Sequence, residues 1–318
     1  MSYIVFDLEW NQCPYGKEKE VASIPFEIIE IGAVKLDQDL KILDTFHRLI
    51  KPTVYKKMHF RTKEIIRMDM EELESGLPFH QAMEDFLIWG GEEVEYCTWG
   101  ALDLTELQRN MKYYHLLDMI KGPIPYYDIQ KIFGIEFEKK KTSRSLEWAV
   151  DYLKIEKNNG FHHALDDAYY TALVMQKLDR DILEAYYSID CYQNPKTKKE
   201  EIEVVFPDYS KYISREFNSK EEAMKDRKVL NTKCYVCRKN LKRRVKWFSV
   251  NTKNHFSLSY CPKHGFLKGK IRMKRTDEGK YYVVKTLKLV GEEEAMRIQA
   301  KQEMLRLKRQ LKRQKGKI

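Results

Sequence analysis

The chain opens with three apolar, strand-like runs, Tyr3–Phe6, Glu27–Leu36 and Ile42–Ile50, and then alternates helical and strand-like segments. Three strands followed by such an alternation constrain residues 1–185 to an α/β domain. Phe79, Met83, Phe86 and Leu87 recur at helical spacing within Phe79–Trp89. Val94–Trp99 reads as a strand that leads at once into a helix over Leu102–Leu117. Two more helices are expected at Ser143–Leu153, with Ser143 or Ser145 as its cap, and at His163–Leu178 after the loop that ends at Gly160. Asn11–Pro25, with Pro14, Gly16 and Pro25, reads as loop.

After residue 185 the pattern breaks. Residues 186–230 read as a connector of weak periodicity. Residues 231–290 carry short strand-like runs, Val245–Val250, Phe256–Tyr260 and Tyr281–Val290, and read as a small β-rich module. Residues 291–318 read as a basic helix or tail in which glutamates come first and cations last, the order a helix dipole favours. The 318 residues suffice for about two domains. They contain no apolar run of the ~18 residues a membrane span needs. The opening MSYIVFDLEW lacks a basic, then apolar, leader, so a reducing cytoplasm is the expectation.

Charge is divided sharply along the chain. Residues 231–318 hold 26 Lys and Arg against 6 Asp and Glu, whereas residues 1–190 hold 23 against 34. An acidic body with a basic end points to a polyanionic partner, nucleic acid before membrane. Residues 292–318 lack aromatics and have a thin apolar stripe, which argues against a membrane surface.

Four carboxylates and a histidine stand at the ends of the expected elements. Asp7 and Glu9 are two apart near the end of the first strand, so they share a face. Asp103 follows the Val94–Trp99 strand, and Asp167 lies in the His163–Leu178 helix five residues after His162. Each alone is weak, and Asp103 alone reads as a helix cap. Brought together, such acids repel and protonate unless cations neutralise them. Their hard oxygens suit Mg²⁺ or Mn²⁺. Two such ions about 4 Å apart clamp the attacking and leaving oxygens of a phosphodiester, and a nearby histidine can take the proton of the attacking water.

FDLEW at 6–10, TWGALDLTEL at 98–107 and HHALDDA at 162–168 resemble the three motifs of the DEDDh 3′→5′ exonuclease superfamily. EIIEIGAVKLD at 27–37 is similar to that family's second strand. The likeness is greatest to the branch of histone-mRNA and sporulation-inhibitor-like exonucleases. It implies a ribonuclease-H-like fold with a mixed five-stranded sheet flanked by helices. It implies two Mg²⁺ or Mn²⁺ ions held by Asp7, Glu9, Asp103 and Asp167, with His162 as general base. The family's five-residue spacing pairs His162 with Asp167, whereas His163 would pair with Ala168. It also implies release of nucleoside 5′-monophosphates from the 3′ end, with RNA favoured by the branch. The partner expected is single-stranded RNA or an RNA 3′ end. Relatives often carry Thr shortly after the glutamate, where this chain has Trp10 and Asn11. Asn11 would then bond a 3′-hydroxyl, and Trp10 would stack on a base or pack in the core. A DNA proofreading or repair exonuclease, and a catalytically silent nucleic-acid-binding regulator, are the alternatives.

Cys234-x2-Cys237 and Cys261-x2-His264 are paired knuckles at spacings that suit one structural, tetrahedral Zn²⁺. His255 rivals His264 as the fourth ligand, although CPKH makes the better turn. The module resembles a zinc ribbon, and its apolar content leads us to expect that metal supplies much of its folding free energy. Arg243, Arg244, Lys246 and Trp247 form a candidate strand-binding surface, with Trp247 or Phe248 expected inside. Cys13, Cys97 and Cys191 read as ordinary thiols.

Overall fold

The computed structural model describes residues 2–66, 68–138, 143–158 and 160–315, and the chain divides into two compact units, Met1–Gln193 and Asn194–Ile318.

The first unit carries β1 (Ser2–Gln12), β2 (Phe26–Leu36), β3 (Ile42–Leu49), α1 (Phe60–Ile66), α2 (Met70–Leu73), α3 (Phe79–Gly90) and β4 (Val94–Thr98). It continues with α4 (Asp103–Tyr113), β5 (Ile124–Asp128), α5 (Ile129–Glu136), α6 (Leu146–Tyr152), α7 (Ala164–Gln176), α8 (Arg180–Ala185) and β6 (Ser188–Asp190). The strands form one mixed sheet in the order β3-β2-β1-β4-β5-β6. The first three are antiparallel, β1, β4 and β5 run parallel, and β6 returns antiparallel. The sheet is therefore one short edge strand wider than expected, and that strand is drawn from the supposed connector. Ser145 caps α6 by accepting the Trp148 N–H at 3.2 Å.

Alternation along β1 explains where the site lies. Ile4, Phe6 and Leu8 face one apolar layer, under α3 and α4, while Tyr3 and Val5 face the other, under α5, α6 and α7. Asp7 and Glu9 continue the Tyr3–Val5 face beyond the point where apolar packing ends. The strand runs on to Gln12, so these acids stand within β1 rather than at its end.

The second unit carries β7 (Ile202–Val205), β8 (Tyr209–Ile213), α9 (Lys220–Ala223), α10 (Arg227–Leu230), β9 (Lys242–Ser249), β10 (Asn254–Cys261), β11 (Gly265–Arg275), β12 (Tyr281–Val290) and α11 (Glu292–Lys315). Its antiparallel sheet has the order β7-β8-β12-β11-β10-β9. Residues 194–230, expected as connector, instead supply β7, β8 and two short helices. The unit is thus larger than a ribbon, and it has apolar clusters of its own. Val245, Phe248 and Leu258 pack with Ala295 and Ile298 of α11. Tyr212, Phe217, Ile271 and Val283 form a second cluster. Residues 316–318 of the expected basic tail lie outside the described residues. No described helix is long and apolar enough to cross a membrane.

Candidate active site and cysteine–histidine centre

Three expected acids converge. Asp7, Glu9 and Asp167 each offer an oxygen, and these oxygens lie within 4.8 Å of one another. Asp7 sits opposite Gly32 and Glu9 opposite Glu30 in the β1–β2 ladder. Gly32 lets Asp167 arrive. A Cβ at that position would fall 2.0 Å from the Leu165 nitrogen, so only a glycine admits the first turn of α7 onto the sheet. Asp103 lies outside this triplet. It is buried in the first turn of α4, and its carboxylate accepts the backbone N–H of Leu8, which places it behind Asp7.

The electrostatics fit an anion-rich site. Loss of hydration, then repulsion by Asp103, Glu9, Asp167 and Glu30, holds the Asp7 carboxyl well above the usual carboxylate range. Burial, then Asp167, Glu30 and Asp103, pushes Glu9 up to about 8. Burial lifts Asp103 to about 7 against the N–H groups of Asp103 and Leu8 that draw it down. Burial likewise lifts Asp167 to about 6 although His162 opposes the shift. The strongest charges acting on Asp7 and Glu9 are all carboxylates, so repulsion outweighs any attraction from described cations.

His162 is exposed at the mouth of α7, with φ at 72°, and its N–H points at Asp167 Oδ2, 3.4 Å away. A non-glycine residue in the left-handed region is strained, and such strain gathers at functional sites.

Glu30 was missed in the sequence. It is buried, its Oε1 accepts from His47 Nε2 at 2.8 Å, and its second oxygen lies 3.9 Å from His163 Nδ1. An acid inside the otherwise apolar EIIEIGAV strand was the available signal. Glu30 Oε2 and Asp167 Oδ1 are buried without a hydrogen-bond partner among the described residues. Such orphaned acceptors cost about 1–3 kcal/mol each. A hard divalent cation satisfies Asp167 Oδ1 and offsets the repulsion, so Asp7, Glu9 and Asp167, with Asp103 behind them, fit Mg²⁺ or Mn²⁺.

At the strand end one expectation, for Asn11, is corrected. Asn11 is 0% exposed. Its amide donates to the carbonyls of Tyr55 and Lys57, and its oxygen accepts from Gln12 and His59 N–H groups at 3.0 and 2.9 Å. With its polar groups spent, it braces the segment before α1 instead of meeting a 3′-hydroxyl. That segment leads into an aromatic pair, half-buried His59 and Phe60 at the start of α1, with ring centroids 4.6 Å apart and Phe60 66% exposed. Trp10 packs against Phe26 at 5.5 Å, the core reading of that residue.

In the second unit Cys234, Cys237, Cys261 and His264 also converge within 4.8 Å. Cys237 Sγ is 3.7 Å from Cys261 Sγ, and His264 Nδ1 is 3.5 Å from both Cys234 Sγ and Cys261 Sγ. A tetrahedral ion with bonds of about 2.3 Å separates its sulfurs by ~3.7–3.8 Å, so the donors fit zinc. His255 stays up β10, outside the cluster. Burial opposes ionisation of Cys261, but the Lys263 N–H and the His264 ring hold that thiol down to about 6. Arg243, Arg244 and Lys246 lie exposed on the edge strand β9. Trp247 does not join them. Its ring covers Gly269, where a Cβ would come within 2.5 Å of it, and its Nε1–H donates to Leu230 O at 3.0 Å.

Comparison with known proteins agrees with this geometry. The exonuclease family model (RNase_T) matches residues 4–175. The "Probable 3'-5' exonuclease KapD" of Bacillus subtilis (strain 168) is 28% identical over 194 residues, covering 58% of this chain and 88% of that protein. The PolC-type DNA polymerase III of Thermotoga petrophila is 28% identical over 234 residues, 67% of this chain but 16% of the polymerase. Among solved structures, the nuclease domain of 3'hExo, described as a DEDDh family member bound to rAMP, has a TM-score of 0.50 at 19% identity and covers 59% of this chain and 96% of that one. A sheet that gathers these acids, a matching family model over more than half of the chain and a 3′→5′ exonuclease relative lead to one assignment: this protein belongs to the RNase_T exonuclease family.

Proposed function

We propose that the chain hydrolyses single-stranded nucleic acid, RNA in preference to DNA, from the 3′ end to nucleoside 5′-monophosphates with two divalent ions. The observation that carries this reading is the uncompensated meeting of Asp7, Glu9 and Asp167, with an orphaned Asp167 oxygen. Asp7, Glu9, Asp103 and Asp167 would hold the ions, Asp7 serving both, Glu9 and Asp167 the one that activates water, and Asp103 the other. Such ions, when bound, acidify water and stabilise the leaving oxygen. His162, exposed and tethered to Asp167 through its N–H, takes the proton of the water. Exposed Phe60, beside half-buried His59, offers the terminal base a stacking face. The exposed cations of β9 bind phosphates upstream. The Cys3His centre holds one structural zinc.

RNA preference rests on the branch resemblance of the three motifs. The test is the rate of shortening of matched RNA and DNA strands, single and annealed, under Mn²⁺. Faster loss of the RNA single strand supports the reading. Equal or faster loss of DNA moves the protein toward the repair alternative.

A further inference from the structure

The second unit contains a cavity of about 310 Å³ beside the Cys234 knuckle, near the lower end of the size range of small-ligand sites. Its floor is buried and its rim exposed. Lys285 and Tyr212 belong to the floor, and Lys228, Lys233 and Arg238 to the rim. Four cations thus line a space that holds one acid, Glu203, which is taken by Arg238 at 3.6 Å.

Lys285 needs an explanation. It stands in the middle of the sheet on β12, between Tyr212 of β8 and Ile271 of β11, and is 6% exposed. Its ammonium donates to the carbonyls of Lys228 at 2.6 Å and Asn231 at 3.0 Å, and lies 4.9 Å above the Tyr212 ring. Its direct partners, carbonyls and a ring, are neutral, and carboxylates act on it only from further off, Glu203 first, then Asp226 and Glu201. A leucine or methionine would fill the same place without desolvating a charge. Burial pulls Lys285 down to about 8, which still leaves it mostly cationic at neutral pH. Lys228 also faces the Tyr212 ring at 4.9 Å while pairing with Glu201 at 3.1 Å, so two ammonium groups, one of them already paired, converge on one wall. A buried cation aimed at a cation-rimmed cavity calls for an anion, and several cations around one small volume suit a phosphate better than a single carboxylate.

We propose that this cavity is a phosphate site distinct from the carboxylate cluster, and that it takes the phosphate of a nucleotide, either one unit of a strand or a free nucleoside monophosphate. In the sheet order it lies toward β7, β8 and β12, at the other edge from the basic β9. The nucleotide source rests on the exonuclease reading, whereas the phosphate chemistry does not.

The test uses the full chain with its zinc and no added Mg²⁺ or Mn²⁺. Inorganic phosphate, AMP and a 12-nucleotide oligoadenylate are titrated into wild type, Lys233→Glu at the exposed rim and Lys285→Met at the floor. Wild type is expected to bind at least one phosphate probe, with Lys233→Glu weakening it about fivefold or more and flattening its salt dependence. An effect on AMP identifies the free nucleotide, and an effect on the oligonucleotide identifies the strand. Lys285→Met should do the same with unchanged zinc content. If it fails to fold, Lys233→Glu alone decides. Identical affinities in wild type and Lys233→Glu for all three probes overturn the proposal. Turnover at saturating strand should be unchanged in Lys233→Glu. A wild type that binds phosphate here yet never shortens a strand would instead sink the exonuclease reading and leave this site standing.

Discussion

The two units solve opposite electrostatic problems. Residues 1–193 carry 23 cations and 34 acids, and their acids are driven together until several titrate near or above neutrality. Residues 194–318 carry 35 cations and 14 acids, and their cations are mostly spread on the surface while three thiols and an imidazole are gathered inside. In the first unit the acids stand within β1 and in the first turn of α7, on a sheet packed on both faces, and the fold brings them together against their repulsion. In the second, the four ligands tie the turn before β9 to the turn between β10 and β11, where a bound ion would serve structure.

The largest expected effect tests the structural half of that contrast. Cys261→Ser should lose zinc one for one and sharply reduce hydrogen-exchange protection in β9–β11, since structural zinc sites are worth ~10 kcal/mol or more. Protection over β1–β6 should not change. The apolar clusters of the second unit should keep β12 and α11 partly protected, which corrects the sequence-based expectation that the module has too little core to stand without metal. Equal loss in both units would break the comparison.

Glu9→Gln tests the other half. A carboxyl raised to about 8 holds a proton in the folded state that the unfolded chain gives up near the ordinary value, 4.5. Its contribution is therefore fully present below pH ~4.5 and fades as pH rises toward 8, so metal-free stability falls across that window. The glutamine variant should shallow the slope, which Asp7, Asp103 and Asp167 share, and make the metal-free protein about 1–3 kcal/mol more stable near pH 8, while activity collapses. Thermal melts from pH 4.5 to 8.5, with and without Mn²⁺, read this directly. A destabilised variant would mean that the acids are structural.

Next in size is Gly32→Ala. A methyl at 2.0 Å from the Leu165 nitrogen forces α7 off the sheet, at about 1–3 kcal/mol for overpacking. The shift carries Asp167 with it, so activity should fall about tenfold or more even at temperatures where the protein is folded. Melting and turnover measured together check it. The smallest effect is Arg243→Gln with Arg244→Gln and Lys246→Gln, which should leave melting unchanged. It should lower the salt slope of single-strand binding by about 2, at ~0.7 per phosphate contact.

What was legible in the sequence follows from the same contrast. The carboxylate site could be read because each acid lies in a short motif tied to one strand end or helix start, and period two places Asp7 and Glu9 on one face. Glu30 escaped because only the ladder register puts it across from Glu9. Asn11 misled because a polar side chain two residues past Glu9 looks available, and its bonds to residues 55–59 are set by tertiary structure. In the second unit β11 was hidden by Gly265, Gly269 and a run of cations, although Leu267, Ile271 and Met273 alternate inward. Gly269 is there for Trp247, which explains both the missed strand and the misassigned tryptophan. β5 and β6 are short, and β6 has only three residues, Ser188 and Asp190 buried and Ile189 half-buried, at a sheet edge where no periodicity is long enough to read.

The central claim is that Asp7, Glu9, Asp103 and Asp167 hold the ions that cut the last phosphodiester. It is tested most directly by a time course on 3′- and 5′-labelled single strands with Mg²⁺ or Mn²⁺, comparing wild type with Asp7→Asn. The account predicts stepwise shortening from the 3′ end in wild type, and at least ~10³-fold slower shortening in the variant, about 4 kcal/mol of barrier, with strand binding retained. Tight binding without shortening in wild type under either metal, or equal rates in both proteins, would contradict it.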